Sequence, residues 1–488
     1  MRRWFAALAL LTIIRLVVAG TSPLSADEAY YWTWSHALAP GYLDHPPMTA
    51  LWIHAGTLIF NDTAFGARLF SPLAAGLGTM LLGLAAADLL GGTRALRRRH
   101  AVVAAILLNA TLLLGVGAVT ITPDTPLLFF WTAALAALGR LIATRKGAWW
   151  LAAGMAIGLA LDSKYTALLP GGGLALWLIA TREGRVWLRT PWPWLGGLTA
   201  LLLFTPVLAW NAAHGWVSFL KQGGRTGDWH PADAGRYLAE LLGGQVGLAT
   251  PFIFVLFACG MARIARHPVS GPPGFSLLAF VTVPAAMVFI AHAFGDRVQA
   301  NWPGLLYPAC AIAGAGLGWR WRAASAFGLL LTALVYVQST LSPFPLPRKL
   351  DITLMRLAGW QDLARTIAAR RDARGSADSF IMADEYGLAS ELALALPGRD
   401  VLGAEPRWRL FAMPHPDVGG HTGLLLRTAR RKGAPDPQLF SESAELGAVQ
   451  RSRSGHIAET YRLYRVVVRP DLPAALQAEI VQLPSPRR

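Results

Sequence analysis

Cysteine is nearly absent. The 488-residue chain has two, Cys259 and Cys310, both inside apolar stretches. A disulfide framework or a cysteine-ligated zinc site therefore finds no support, and both thiols read as small core residues. Charge is scarce as well, at 15% of residues, against about a quarter in soluble globular domains; a surface turned wholly to water is excluded. Acids are fewer than bases, 28 against 44, so the carboxylates available for chemistry form a small set. No nucleotide-phosphate loop and no repeat of solenoid period occurs, which removes the P-loop enzymes and the stacked-repeat binders. The short alternating strands of a membrane β-barrel are missing too.

Hydrophobic residues make up 54% of the chain, in blocks near the roughly 20 residues that a helix needs to cross a hydrocarbon core. The blocks are 4–20, 66–90, 101–119, 126–143, 148–161, 166–180, 192–209, 245–262, 275–293, 303–318 and 324–341. They predict an all-α polytopic membrane bundle of about eleven transmembrane helices. Met1-Arg2-Arg3, the first apolar run and Ser25-Ala26 have the layout of a cleavable signal peptide. Arg15 interrupts that run and many spans follow, so an uncleaved first helix is expected.

The net charge of +16 would suit nucleic acid if it formed one basic face. It does not. Arg2/Arg3, Arg94 with Arg97–Arg99, Arg140/Arg145/Lys146, Arg182/Arg185/Arg189, Arg263/Arg266 and Arg320/Arg322 occupy every second connection, the pattern of cytoplasmic loops. The partner is thus a membrane and no nucleic acid is expected. The N-terminus is read as cytoplasmic, and an odd number of spans puts the C-terminal region on the exported side.

The expected division is 1–344 for the membrane domain and 345–488 for an exported mixed α/β domain. Past Pro343, Pro345 and Pro347 the hydropathy falls. Residues 354–370 and 386–396 then read as helices, and 379–383 and 461–468 as strands. Within the first exported connection, 21–65, the segments 28–38 and 48–60 are apolar enough to lie in the interface as helices. Their rings, Tyr30, Tyr31, Trp32, Trp34 and Trp52, suit headgroup depth.

The unusual polar residues gather in the connections that are not basic. The first holds Asp27-Glu28 and then Gly41-Tyr42-Leu43-Asp44-His45-Pro46-Pro47. A carboxylate in low dielectric near the bilayer can act as general base on an acceptor hydroxyl or amine. The paired prolines stiffen the chain that carries Asp44 and His45. Acids of solvated loops also simply pair with local cations, and for this cluster alone that plainer role has about equal weight. Further along, Asp124 lies between Pro123 and Pro126, and Asp162-Ser163-Lys164-Tyr165 joins an acid to a cation. The connection after Trp210-Asn211 carries His214, Lys221, Gln222 and Arg225, and Asp296-Arg297 precedes Asn301-Trp302-Pro303. Each alone is more often a snorkelling or capping residue.

Shared sidedness is what favours chemistry. Transfer from a lipid-linked phosphate needs a carboxylate for the nucleophile, and Lys, Arg or His for the departing phosphate oxygens. Asp27, Asp44 and His45 are also the candidate ligands of a divalent metal, with no other cofactor suggested. A transporter or flippase would also line a cavity with polar groups, but at mid-span and with repeated halves.

The segment 25–52 resembles the first exported loop of the family 39/83-type glycosyltransferases of the GT-C fold, among them the protein O-mannosyltransferases and the bacterial lipid A aminoarabinose transferases. The resemblance rests on Asp27-Glu28-Ala29-Tyr30-Tyr31, Gly41 through Pro47, Thr122-Pro123-Asp124, Ser163-Lys164-Tyr165, Trp210-Asn211 through Gly215-Trp216, and Asn301-Trp302-Pro303, in order. It implies an enzyme of the bacterial inner membrane that takes a sugar from a polyprenyl-phosphate carrier on the periplasmic face and passes it to a lipid or glycolipid acceptor. It also implies Asp27 as the essential carboxylate. Aminoarabinose transferases carry an acid followed by Lys before the paired prolines, where this chain has Asp44-His45. That form looks closer to the bacterial branch that decorates lipopolysaccharide, galacturonic acid transferases included; a protein O-mannosyltransferase-like activity is the neighbouring alternative. Sidedness and resemblance together give Asp27, Glu28 and Asp124 as catalytic candidates. Tyr30, Tyr31, Asp44, His45, Lys164, Tyr165, Arg225, Arg297 and Asn301 are the candidates for substrate binding.

Overall fold

The computed structural model describes residues 2–224, 229–267, 272, 274–318, 320–375 and 379–487. Arg225 lies outside them. Among the described residues six helices are long and apolar enough to cross a membrane: Arg3–Thr21, Ala64–Leu90, Asp124–Thr144, Trp192–Ala213, Phe275–His292 and Trp321–Thr340. Pro231–Ala249 and Pro251–Arg266, bent by 106°, make a seventh if counted as one span. The helical membrane-like architecture is as expected; the count of about eleven is not reached.

Local chemistry accounts for the difference. Trp149–Leu161 has 13 residues, about 20 Å of helix against the roughly 30 Å of a hydrocarbon core, and Tyr165–Ala180 is also short. The block 101–119 is two helices, Arg94–Asn109 and Leu112–Gly117. Thr111 restarts the chain there, its hydroxyl accepting from the Leu114 N–H at 3.2 Å. The block 245–262 breaks at Thr250, whose φ is 70° and whose place before Pro251 disfavours helix.

Packing divides the chain into two units: Met1–Val17, Pro40–Thr49 and Phe70–Tyr336, and Val18–Ala39, Ala50–Leu69 and Val337–Arg488. The first unit is helical, and small residues let its helices meet closely. A Cβ on Gly154 would lie 2.0 Å from the Gly196 carbonyl oxygen, so Trp149–Leu161 and Trp192–Ala213 touch backbone to backbone. Arg15, which breaks the first apolar run, is fully buried in this unit. It donates to Asn109 Oδ1 at 2.8 Å and Tyr336 Oη at 3.3 Å. Its charge thus clasps three apolar helices by hydrogen bonds that lipid could not supply.

The second unit contains a six-stranded sheet in the order β4-β5-β3-β1-β2-β6. The strands are β1 (Phe380–Ala383), β2 (Val401–Ala404), β3 (Thr422–Thr428), β4 (Phe440–Arg453), β5 (His456–Val468) and β6 (Ile480–Gln482). β1 lies parallel to β2 and β3, and the other pairs are antiparallel. β1 and β2 are buried along their whole length, as short apolar strands covered on both faces are. The expected helix over 354–370 is two, Ile352–Leu357 and Trp360–Asp372. Gly359 separates them at φ 81°, where a Cβ would meet the Ser452 carbonyl at 2.4 Å. Of the first connection, 40–49 packs with the helical unit, whereas the helix Ala26–His36 and residues 50–69 pack with the sheet.

Candidate functional site

In the helical unit, the polar connections singled out from sequence come together. Lys164, nearly buried, donates to both oxygens of Asp124, at 2.8 and 3.0 Å, and Asn301 Nδ2 reaches Asp124 Oδ2 at 2.6 Å. Pro123 and Pro126 fix the start of the helix that Asp124 opens. Next in the chain, Tyr165 Oη receives Asn211 Nδ2 at 3.4 Å. Asn211 Oδ1 accepts from the Ser218 N–H at 3.3 Å, and the Ser218 hydroxyl donates to the Tyr42 carbonyl at 2.7 Å. That carbonyl belongs to the turn holding Asp44, which Lys221 pairs with its Nζ and Gln222 supports through a 2.8 Å bond to the Asp44 carbonyl. The Met48 N–H closes the loop onto the Asp162 carbonyl at 3.0 Å.

Five segments distant in sequence therefore share one polar network with two ammonium groups in it. Lys221 and Asp162, noted among the polar residues in sequence but not among the site candidates, are members of it. Asp162 Oδ1 is buried without a hydrogen-bond partner among the described residues, and burial pushes its carboxyl up to about 7. His45 is half-buried beside Asp44. Arg297 is placed elsewhere: it is largely exposed and pairs with Glu240 at 2.7 Å. Among the described residues no three His, Cys, Asp or Glu side chains gather as metal ligands, and Asp44 is taken by Lys221.

In the other unit, Asp27 sits in the first turn of Ala26–His36. Ser25-Ala26-Asp27-Glu28 forms a capping box there: the Ser25 hydroxyl accepts from the Glu28 N–H, and Glu28 Oε2 from the Ser25 N–H at 2.9 Å. Glu28 is fully buried against Arg68, with Nε–Oε1 at 2.6 Å and Nη2–Oε2 at 2.7 Å. Arg68 spends its remaining donors on the carbonyls of Ala19, Ser22 and Pro23, so all five N–H groups are met. Glu28, expected among the catalytic acids, is thereby committed to holding the helix entry. Asp27 beside it keeps a side chain 48% exposed.

Tyr30 is likewise a packing residue here. It is buried against Tyr386, Trp408 and Phe411, and Arg407 Nη1 donates to its hydroxyl at 3.2 Å. Tyr31, half-buried, packs edge-on to Trp34. The helix Tyr386–Ala395 supports the same face, where the Thr33 hydroxyl meets the Ser390 hydroxyl at 3.0 Å.

Glu391 on that helix carries no local sign of a special role, yet it is buried with Oε1 unpartnered among the described residues. Burial above all pushes its carboxyl well above the usual range, while Arg451 and Arg68 pull the other way. Between the unfolded and folded pKa the native state holds a proton that the unfolded chain has released. Stability is therefore fullest at low pH and falls as pH rises through that window, by at most about 1.4 kcal/mol per pH unit. Glu391→Gln should remove this slope, raising the melting temperature of the detergent-solubilised protein more at pH 8 than at pH 5. Equal shifts at the two pH values would refute it.

Residues 44–210, which include Asp44, Asp124 and Lys164, match the family described as dolichyl-phosphate-mannose-protein mannosyltransferase. A lipid A galacturonosyltransferase, RgtD, of Rhizobium johnstonii is 26% identical over 385 residues, covering 76% of this chain and 77% of the relative. The crystal structure of ArnT from Cupriavidus metallidurans in the apo state superposes with a TM-score of 0.61 at 16% identity, over 94% of this chain and 97% of that one. The same protein bound to undecaprenyl phosphate gives 0.60 at 14% identity over the same shares. These likenesses establish the fold along nearly the whole chain, sheet domain included.

Proposed function

We infer that this chain is a membrane glycosyltransferase of the GT-C fold, ArnT-like in architecture, which moves a sugar from a polyprenyl-phosphate donor to lipid A or a related envelope glycolipid. The observation that carries the reading is the network of Asp124, Lys164, Asn301, Asp44 and Lys221, assembled from connections distant in sequence. Two ammonium groups, each held in place by a carboxylate, are preset N–H donors for a departing lipid phosphate. Lys164 and Tyr165 are its donor-side residues, with His45 and Asn301 beside them. Asp27 is the general base: half-exposed at a helix start, it takes the proton of the acceptor hydroxyl as the oxygen bonds to the anomeric carbon and the phosphate leaves with the electron pair of the broken bond.

The similarity to a lipid A galacturonosyltransferase favours a uronic acid as the sugar and lipid A as the acceptor. The match to protein mannosyltransferases over 44–210 keeps a protein acceptor as the second reading. The arginine alternation supports a multi-pass inner-membrane protein with its N-terminus cytoplasmic and its sheet domain periplasmic. About eleven crossings require the shorter helices Trp149–Leu161 and Tyr165–Ala180 and the broken blocks 101–119 and 303–318 to cross as well, with local thinning of the bilayer.

Mass spectrometry of envelope lipids from cells with and without the gene tests the reading. A lipid A species heavier by one sugar residue is expected only with the gene. An unchanged lipid A profile together with a newly glycosylated protein would favour the second reading. A cysteine introduced at Gly375 should react with an impermeant maleimide from outside, and failure to do so would overturn the orientation.

A further inference from the structure

The sheet-bearing unit holds a cavity of about 410 Å³ that the chemistry above does not use. It lies where the end of the helix Ala26–His36, the turn before β2, residues 412–414 and the run after β6 meet. Its volume is at the lower end of small-ligand sites, about 300–1,000 Å³. Bonds to the surrounding chain hold its walls. His36 Nδ1 is 3.1 Å from the Trp32 carbonyl, and Nε2 is 3.4 Å from Asp62 Oδ2. Asp62 in turn accepts from Trp32 Nε1 at 2.8 Å and from the Arg487 N–H at 2.6 Å. Both nitrogens of the His36 ring are thus engaged by the protein.

The polar lining decides what could enter. Arg399 is committed to Asp372 through two bonds of 2.6 and 2.8 Å, a fork that spends its charge. Asp400 Oδ1 accepts from Gln482 Nε2 at 3.0 Å, and the Ser485 hydroxyl accepts from the Gly398 N–H at 2.8 Å. Among the described residues this leaves the second Asp400 oxygen and the Gln482 amide oxygen as acceptors, and the Ser485 O–H as a donor. Met413 and Pro484 add apolar wall. A phosphate or carboxylate suits this lining poorly, because its guanidinium is spent and Asp400 repels an anion. Hydroxyl groups both donate and accept, and a sugar ring that carries them has apolar C–H faces, so a saccharide meets the whole lining.

We propose that this cavity is a carbohydrate-binding subsite that takes an uncharged or amino-sugar ring of the acceptor glycolipid. Its role, though not its ligand class, rests on the glycosyltransferase reading above. Asp27 and His36 stand nine residues apart on one helix, about 14 Å along its axis. A saccharide held at the His36 end is therefore tied to the same element as the candidate base. Binding there supplies affinity remote from the reacting hydroxyl.

The test uses the full chain in detergent and titration calorimetry with a glucosamine disaccharide that carries no phosphate and no acyl chain. Asp400→Ala should weaken the disaccharide roughly tenfold to a hundredfold, as loss of a hydrogen bond to a charged group does. Ala412→Trp, which fills the cavity from an exposed position in its lining, should abolish binding. Inorganic phosphate should not displace the sugar. With lipid A as acceptor in turnover assays, both variants should raise KM by more than they lower kcat. Arg365→Ala, removing an exposed arginine paired with Asp362, serves as the control and should change nothing. A native chain that ignores the disaccharide would overturn the proposal, as would equal binding by native chain and both variants. Displacement by phosphate would overturn it too, by marking an anion site, and a KM indifferent to both substitutions would remove the acceptor assignment. Disaccharide bound by the native chain and lost in both variants, in a protein that leaves lipid A unmodified, would keep the subsite and remove the glycosyltransferase reading.

Discussion

Asp27→Asn should lower turnover by about a hundredfold to ten-thousandfold, the usual contribution of a general base. The substitution keeps side-chain size and a hydrogen-bonding oxygen while removing the charge. Its surroundings argue that the fold will tolerate it: Asp27 is half-exposed, and the capping of its helix is done by Ser25 and Glu28. Membrane insertion and melting temperature should stay near native values, with no weakening of donor binding. Single-turnover assays on purified protein, given polyprenyl-phosphate sugar and acceptor, separate the chemical step from binding. Near-native turnover would remove Asp27 as the base and move attention to Asp124 or Asp44. Glu28→Gln should affect turnover less.

Arg68→Met should act through stability instead. The substitution keeps an unbranched stem but takes the guanidinium from the buried Glu28 carboxylate, a change that typically costs about 3–5 kcal/mol, and it also strips the carbonyls of Ala19, Ser22 and Pro23 of their donor. The expected result is a large fall in melting temperature and in the yield of folded protein. The double variant Arg68→Met, Glu28→Gln should recover part of the loss, since the residual buried group is then neutral. A single variant that melts with the native protein would show that the pair is dispensable. Turnover per folded molecule distinguishes the two predictions: it collapses for Asp27→Asn and survives in whatever fraction of Arg68→Met folds.

The sequence exposes some of this arrangement and hides the rest for physical reasons. Apolar blocks mark the helices because hydrocarbon tolerates little else. The breaks at Thr250 and Gly359 are less visible, because one proline or glycine signals a boundary without giving its angle. Asp124, Lys164 and Asn301 are foreseeable as a group through sidedness alone. Lys221 as the partner of Asp44 depends on how two loops fold over each other, which no periodicity encodes. Glu28 and Tyr30 show what sequence hides in the other direction. Their type and place beside a candidate base are visible in one dimension, but their burial and packing partners are not. Arg68, at the edge of an apolar block, gives no local hint that its guanidinium organises the chain entering the Asp27 helix.

The unit that holds the sheet draws its chain from Val18–Ala39, Ala50–Leu69 and Val337–Arg488. A ribosome delivers the Asp27 helix early and its packing partners, Tyr386, Ser390, Trp408 and Phe411, several hundred residues later. At about 5–20 residues per second, the helix waits tens of seconds with its aromatic face uncovered, next to a membrane able to receive it. Biogenesis is therefore ordered: insertion of the helices comes first, and the Asp27 helix gains its packed setting only when residues 386–411 arrive. A chain that ends before Tyr386 carries all the membrane-like helices but leaves the aromatic face of the Asp27 helix without its packing partners.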